Sequence, residues 1–201
     1  MHQAGQHGNP LRVLVVEDED PVRRLLVETL EKGVGYRVIG QVTSGLEMVE
    51  TVLCTELDVL LFDIHLPQLS GIDALRRIAE TKSVAAVAIS GDYTPASIRK
   101  ICHERIHGLL LKPVEPHLVG PTLELALARF EDHRRVSEEN ERLQRSLENR
   151  KLIERAKGVL MRRYRWTEAD AFRRIQRAAM NQRTTMADLA RHILEGKEFE
   201  F

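Results

Sequence analysis

A chain of 201 residues with 43% hydrophobic content can bury one ordinary core, with enough left for a smaller unit or a long helix. Its 30 basic and 30 acidic side chains balance, which excludes a uniformly basic or uniformly acidic protein. The two cysteines, Cys54 and Cys102, are far apart and outside any metal-type spacing; they exclude a disulfide scaffold and are expected as core thiols in a reducing compartment.

The neutral average hides an asymmetry. Residues 1–120 carry 12 basic against 16 acidic side chains and 121–149 carry 5 against 7, whereas 150–201 carry 13 against 7. An acidic front and a basic tail suggest two modules with different partners. The opening MHQAGQHGNP (1–10) is polar and is expected as a disordered tail. It has no apolar signal core, and no apolar run is long enough to span a bilayer, so the expected location is the cytoplasm, without membrane contact.

From residue 11 two periods alternate. LRVLVV (11–16), YRVIG (36–40), LDVLLF (57–62), VAAVAI (84–89) and IHGLLL (106–111) are short apolar runs suited to buried parallel strands. Helix-period stretches lie between them, such as Val22, Leu25, Leu26 and Leu30, or Ile72, Leu75, Ile78 and Ala79. The pattern predicts an α/β fold: a five-stranded parallel sheet covered on both faces, with functional groups where strands deliver the chain to loops.

The residues at those strand ends form a coherent set. Strand one runs into Glu17 and Asp18, strand three into Asp63, strand four into Ser90, and strand five into Lys112 and Pro113. Carboxylates converging at one edge repel unless a cation shares the site, and hard oxygen ligands without a His or Cys cluster favour Mg²⁺. Asp63 is then a nucleophile for phosphoryl transfer, with Ser90 as a hydrogen-bond donor and Lys112 neutralising the phosphoryl oxygens. Any one acid at a strand end is more simply solvated or capping a helix; suitable residues at every expected position are harder to dismiss.

VLVVEDE, LLFDIHLPQLSGID, AISG and LLLKP resemble the motifs of bacterial response-regulator receiver domains, over residues 11 to about 130. The resemblance implies a flavodoxin-like fold and a phosphoacceptor at Asp63 for a sensor histidine kinase. It further implies Mg²⁺ held by Glu17, Asp18, Asp63 and the backbone carbonyl of His65, with Ser90 and Lys112 reading the phosphoryl group. Such a protein is not an enzyme acting on an outside substrate, though it can catalyse its own phosphorylation and dephosphorylation. Receivers commonly carry Tyr or Phe three residues before the lysine; here that position is Leu109.

HERIH (103–107) matches the HExxH pattern of zinc peptidases, in which both histidines share a helical face. Here His107 opens a strand-like run and no third ligand is apparent. His103 and His107 are therefore expected at a surface or boundary.

From Pro116 helical periodicity scarcely breaks until Tyr164. Leu123, Leu127, Phe130, Val136, Leu143 and Leu147 are spaced near three and four, with Asn140 on the same seam and an irregularity around His133 to Ser137. This predicts a coiled-coil linker over 121–149 between a receiver at 11–120 and a tail unit at 150–201, and with it a homodimer when phosphorylated; the alternative is a single exposed helix laced with i,i+4 ion pairs. Thr167 before Asp170, and Thr185 before Asp188, announce two further helices with apolar stripes Ala171, Phe172, Ile175, Ala178 and Met186, Leu189, Ala190, Ile193.

IERAKGVLMRRY (153–164) places a glycine inside a helix, which costs roughly 1 kcal/mol relative to alanine. On a helical wheel Lys151, Arg155, Gly158, Arg162 and Arg165 form one stripe, opposite Leu152, Ile153, Ala156, Val159 and Leu160. Gly158 on a basic face lets a polyanion backbone come close; the alternative is a solvated face with the glycine packing another helix. Arg173 and Arg177 extend the surface, and Tyr164 or Trp166 present a face on which an unpaired base could stack.

Residues 152–194 are similar along their length to the ANTAR domain of AmiR and NasR type transcription antiterminators, including Ala156 to Met161, Ala171 with Phe172, and Ala179 with Met180. That resemblance implies binding to RNA stem-loops in nascent leader transcripts; the basic residues Lys151, Arg155, Lys157, Arg162, Arg165, Arg173 and Arg177, with Gly158, are then the expected RNA-facing residues. A phosphorylation-controlled DNA-binding factor is the alternative, disfavoured because the basic stripe lies on a long helix rather than on a compact recognition helix.

Overall fold

The computed structural model describes residues 9–92, 94 and 104–196. The expected disordered tail falls almost wholly outside them, as do Cys102 and His103. The strands are β1 (Leu11–Val16), β2 (Tyr36–Val42), β3 (Val59–Asp63), β4 (Ala85–Ser90) and β5 (Gly108–Leu111). All pair in parallel in the order β2-β1-β3-β4-β5. The helices are α1 (Asp20–Lys32), α2 (Gly45–Cys54), α3 (Gly71–Ala79), α4 (Pro116–Tyr164), α5 (Glu168–Asn181) and α6 (Met186–Leu194).

The continuous apolar strands are explained by two cores, because successive strand residues face opposite sides. Leu14, Val16, Leu60, Phe62, Ala86 and Ala88 face Met48 and Val52 of α2 and Leu75 and Ile78 of α3. Val13, Val15, Leu61, Val87 and Ile89 face Leu26 and Leu30 of α1 and Val119, Leu123 and Ala126 of α4.

Leu123 is fully buried there, and Leu127 and Phe130 pack against the same core. These three therefore do not belong to a coiled-coil seam: the sheet takes them before a second helix could. Val136, Leu143 and Leu147 remain more than half exposed. Cys54 is exposed rather than a core thiol, because it falls on the outer face of the last turn of α2. Leu25 is also exposed, at 37%, while Leu26 and Leu30 of α1 are buried.

The chain divides into two compact units, up to Arg134 and from Arg135 onward. In the second, Ala156 and Leu160 of α4, Ala171, Ile175, Ala178 and Ala179 of α5, and Leu189, Ala190 and Ile193 of α6 form a core. Thr167 and Thr185 cap the two short helices, accepting from the Asp170 and Asp188 N–H groups at 3.2 and 3.1 Å. Phe172 does not join the apolar stripe; it is 41% exposed.

Candidate functional site

Parallel pairing brings the carboxyl ends of β1, β3, β4 and β5 to one edge. Asp63, the last residue of β3, is the register partner of Ile89, which precedes Ser90. Lys112 follows β5 and its N–H donates to the Ser90 carbonyl at 2.9 Å. Glu17 and Asp18 leave β1. One carboxylate oxygen each from Glu17, Asp18 and Asp63 lies within 4.8 Å of the others.

Backbone approach fixes this edge. Gly71, at the start of α3, donates its N–H to the Ile64 carbonyl at 2.9 Å. A Cβ there would lie 2.1 Å from the Asp63 carbonyl oxygen and 2.6 Å from the Phe62 ring, so only glycine lets α3 begin against the end of β3.

Asp63 is almost fully buried and has a defined partner on each oxygen. Oδ1 accepts from the His65 N–H at 2.8 Å, and Oδ2 accepts from the Lys112 ammonium. Lys112 also donates to Glu17 Oε1 at 3.0 Å and Glu19 Oε1 at 2.6 Å. Burial pulls its pKa down, but the hydrogen bonds to Asp63, Glu19 and Glu17 outweigh burial and hold it above the ordinary lysine value.

Glu17 is completely buried, and its Oε2 has no hydrogen-bond partner. Burial pushes its carboxyl up to about 7, the Lys112 hydrogen bond pulling against this and the Asp63 charge adding to it. A buried carboxylate with an orphaned oxygen, beside two other carboxylates, fits a hard divalent cation. Ser90, also buried, donates its hydroxyl to the Asp92 carbonyl at 2.9 Å and accepts from the Asp92 N–H at 3.1 Å, which orients it in the turn after β4.

Two contributors escape the sequence pattern. Glu19 binds Lys112, and Arg23 donates to the Glu17 carbonyl at 2.9 Å, fastening the β1–α1 turn. Glu19 lies within the acidic run 17–20, which is the one available signal; a helical arginine gives none. Leu109 packs partly buried against the core that holds Phe62, as an aliphatic residue where an aromatic switch would sit.

His107 precedes β5 rather than lying on a helix. Its N–H donates to the Ala86 carbonyl at 2.8 Å, its Nδ1 accepts from the Ala86 N–H at 3.1 Å, and its ring meets Phe130 edge-on at 5.3 Å. Glu104 is paired with Arg76 at 2.5 Å. The HExxH arrangement is therefore not formed by His107 and Glu104.

In the second unit Lys151, Arg155 and Arg162 are exposed, and no ion pair engages them among the described residues. A Cβ on Gly158 would meet only Arg162 Nη1, at 3.6 Å, so no other helix requires this glycine. Three residues expected to face RNA are placed differently by the fold. Lys157 is 6% exposed and lies between Glu154 at 2.9 Å and Glu168 at 2.7 Å, because it falls on the flank that meets α5. Arg165 leaves the helical stripe: α4 ends at Tyr164 and Arg165 is left-handed, with φ 55°. Arg173 is exposed but paired with Asp170 at 3.0 Å, whereas Arg177 is exposed and has no ion pair among the described residues.

Residues 13–120 match the family described as response regulator receiver domain, and residues 141–194 match the ANTAR domain. The chain is 37% identical over 186 residues to the transcriptional regulatory protein PdtaR of Mycobacterium tuberculosis, covering 92% of this chain and 90% of that one. It is 29% identical over 116 residues to the aliphatic amidase regulator of Pseudomonas aeruginosa, covering 58% and 59%. The fold of the first unit is shared with the receiver domain of NarL from M. tuberculosis, with TM-score 0.55 and 23% identity, over 59% of this chain and 97% of that one. The response regulator domain of CheB from Thermotoga maritima shares it too, with TM-score 0.53 and 24% identity, over 61% and 98%. The acidic edge thus lies in a receiver domain and the basic helix in an ANTAR domain, and the chain belongs to the response regulators that join the two.

Proposed function

We propose that this response regulator is phosphorylated on Asp63 by a sensor histidine kinase in the cytoplasm, and that its tail binds RNA stem-loops in nascent transcripts and controls antitermination. The observation that carries the first half is the convergence of Asp63, Glu17, Asp18, Ser90 and Lys112 at one sheet edge. Glu17, Asp18, Asp63 and the His65 carbonyl would hold Mg²⁺, which when bound supplies positive charge to the transferring phosphoryl oxygens.

The chain's own groups account for the rest. The His65 N–H fixes Asp63 Oδ1, leaving Oδ2 as the nucleophilic oxygen once Lys112 exchanges it for a phosphoryl oxygen. Ser90 donates to another phosphoryl oxygen by giving up its bond to the Asp92 carbonyl. In this reading the protein acts as a catalyst only on its own Asp63. Phosphorylation would favour a homodimer through Val136, Leu143 and Leu147 rather than act through a rotating ring, since Leu109 has none.

RNA binding is supported by the ANTAR match and by the exposed cations Lys151, Arg155 and Arg162 beside Gly158, which no ion pair engages among the described residues. With Mg²⁺ and acetyl phosphate, wild type should be modified and Asp63→Asn should not; label retained by that variant would sink the assignment. Competition between structured RNA and duplex DNA tests the partner, and preference for duplex DNA would return the protein to the DNA-binding factors.

A further inference from the structure

The turn between α4 and α5 builds an aromatic surface that neither phosphorylation nor phosphate contact requires. Arg165 is left-handed between the end of α4 and the Thr167 cap, an uncommon conformation for a residue with a side chain. Its consequence is that Tyr164 and Trp166 lie face to face, ring centroids 4.5 Å apart and planes 16° from parallel. Arg174 of α5 covers Trp166 at 4.2 Å from the ring centroid, and Arg163 lies 5.5 Å from the Tyr164 centroid. Trp166 packs against the three-helix core, whereas Tyr164 is 41% exposed. Trp166 is thus the anchored ring and Tyr164 the outward one.

Among the described residues no ion pair neutralises the arginines around the stack, Arg162, Arg163, Arg165 and Arg174. Glu168 is held by Lys157, and Asp170 by Thr167 and Arg173. A hydrophobic plug for the turn would require neither the exposed ring nor this collar of guanidinium groups. A nucleobase requires both, since its π-face stacks on the ring while its phosphates meet the cations. A base inside a continuous duplex is already stacked on both faces, so only an unpaired base can use the site.

We propose that Tyr164, backed by Trp166 and flanked by Arg163 and Arg174, is a stacking site for an unpaired base of the bound RNA. This rests on the RNA-binding reading and narrows it, because the partner must present an unpaired base at the α4–α5 turn while the α4 stripe meets phosphates alone. The base adds a layer beyond Tyr164, and the Arg163 guanidinium moves from the ring to a phosphate.

Trp166 is the single tryptophan of the chain, so its fluorescence reports this site directly. The full-length protein is titrated with a hairpin RNA pool whose loop is randomised, and with a blunt RNA duplex of equal phosphate number. The pool is expected to change Trp166 emission and the duplex is not. Tyr164→Leu should weaken pool binding by roughly 5- to 150-fold, with melting temperature and salt slope unchanged, and Tyr164→Phe should bind like wild type. If Tyr164→Leu unfolds the tail, the emission contrast between pool and duplex decides by itself. Wild-type affinity in a folded Tyr164→Leu protein, or no contrast in emission, overturns the stacking site and leaves RNA binding standing. No binding of the pool at low salt overturns both.

Discussion

Lys112 reaches across the sheet edge to Glu17, Nζ to Oε1 at 3.0 Å, while the second oxygen of the same carboxylate is buried without a hydrogen-bond partner. One cation is therefore in place and the carboxylates still outnumber it. Mg²⁺ should raise the melting temperature of the wild type, by about 2.7 kcal/mol of stability at a hundred times its Kd. In Glu17→Gln this gain should largely vanish. Lys112→Met should cost about 3 kcal/mol, since it leaves buried charge uncompensated, and Mg²⁺ should recover part of the loss. Melting curves across a magnesium titration check both; an equal response in Glu17→Gln would remove Glu17 from the metal site.

Two glycines should respond oppositely to alanine. Gly71→Ala puts a methyl against the Asp63 carbonyl and the Phe62 ring and should destabilise by about 1–3 kcal/mol. Gly158→Ala meets only the end of a flexible arginine and should stabilise by up to roughly 1 kcal/mol while weakening RNA binding. Chemical denaturation and RNA titration of the two variants decide the matter. A destabilised Gly158→Ala protein would show that the glycine serves folding instead.

Neighbouring cations of the tail should also divide. Arg155→Ala and Arg162→Ala should each reduce the magnitude of the salt slope of RNA binding, by about 0.7 to 0.9 for each phosphate left without its cation, with stability unchanged. Lys157→Met should leave that slope alone and cost at most about 1 kcal/mol of stability, because it breaks ion pairs whose glutamates, Glu154 and Glu168, are more than half exposed to solvent. Binding isotherms at two salt concentrations, beside melting curves, separate the roles; a slope change in Lys157→Met would put that residue back on the RNA surface.

His107 should make the receiver acid-sensitive. Its pKa lies below the ordinary histidine value, chiefly through burial, with the His133 and Arg129 charges lowering it further. A depressed pKa means that the unfolded chain binds the proton first. The contribution to stability is therefore complete above about pH 6.5 and is lost as pH falls below it toward the folded value. His107→Asn keeps an acceptor for Ala86 and removes the titration, so its melting temperature should fall less steeply from pH 7 to pH 5, a window running from about half a unit above the ordinary pKa to well below it. Parallel melting series give the comparison, and identical slopes would discard it.

The exposed apolar residues of the linker bear on assembly. Leu143→Ala with Leu147→Ala should abolish dimerisation of the phosphorylated protein and leave the fold of each unit intact, because both side chains are more than half exposed in the single chain. Mass measurement with and without acetyl phosphate tests this. A dimer that survives both substitutions would place the interface on another face.

Local pattern determined a good deal of this protein. Alternation of apolar strands with helix-period stretches was sufficient for the parallel sheet, because strands buried on both faces leave a continuous hydrophobic run. It was also sufficient for the convergence of the candidate residues, because parallel pairing delivers the carboxyl ends of β1, β3, β4 and β5 to one edge whatever the details of packing. The threonine caps at 167 and 185 were legible for the same reason: capping involves residues three apart.

What only the tertiary structure decided were the choices among equivalent helical faces and among equivalent charges. Spacing alone assigned Leu123, Leu127 and Phe130 to an intermolecular seam, but α4 docks on the sheet and the receiver core takes them. Composition alone grouped Lys157 with Arg155 and Arg162, yet the approach of α5 brings Glu168 to that lysine and not to the arginines. Nor does the sequence RYRW state that Arg165 turns left-handed and lays Tyr164 upon Trp166. Periodicity specifies which residues share a face; only the neighbouring element specifies what that face meets.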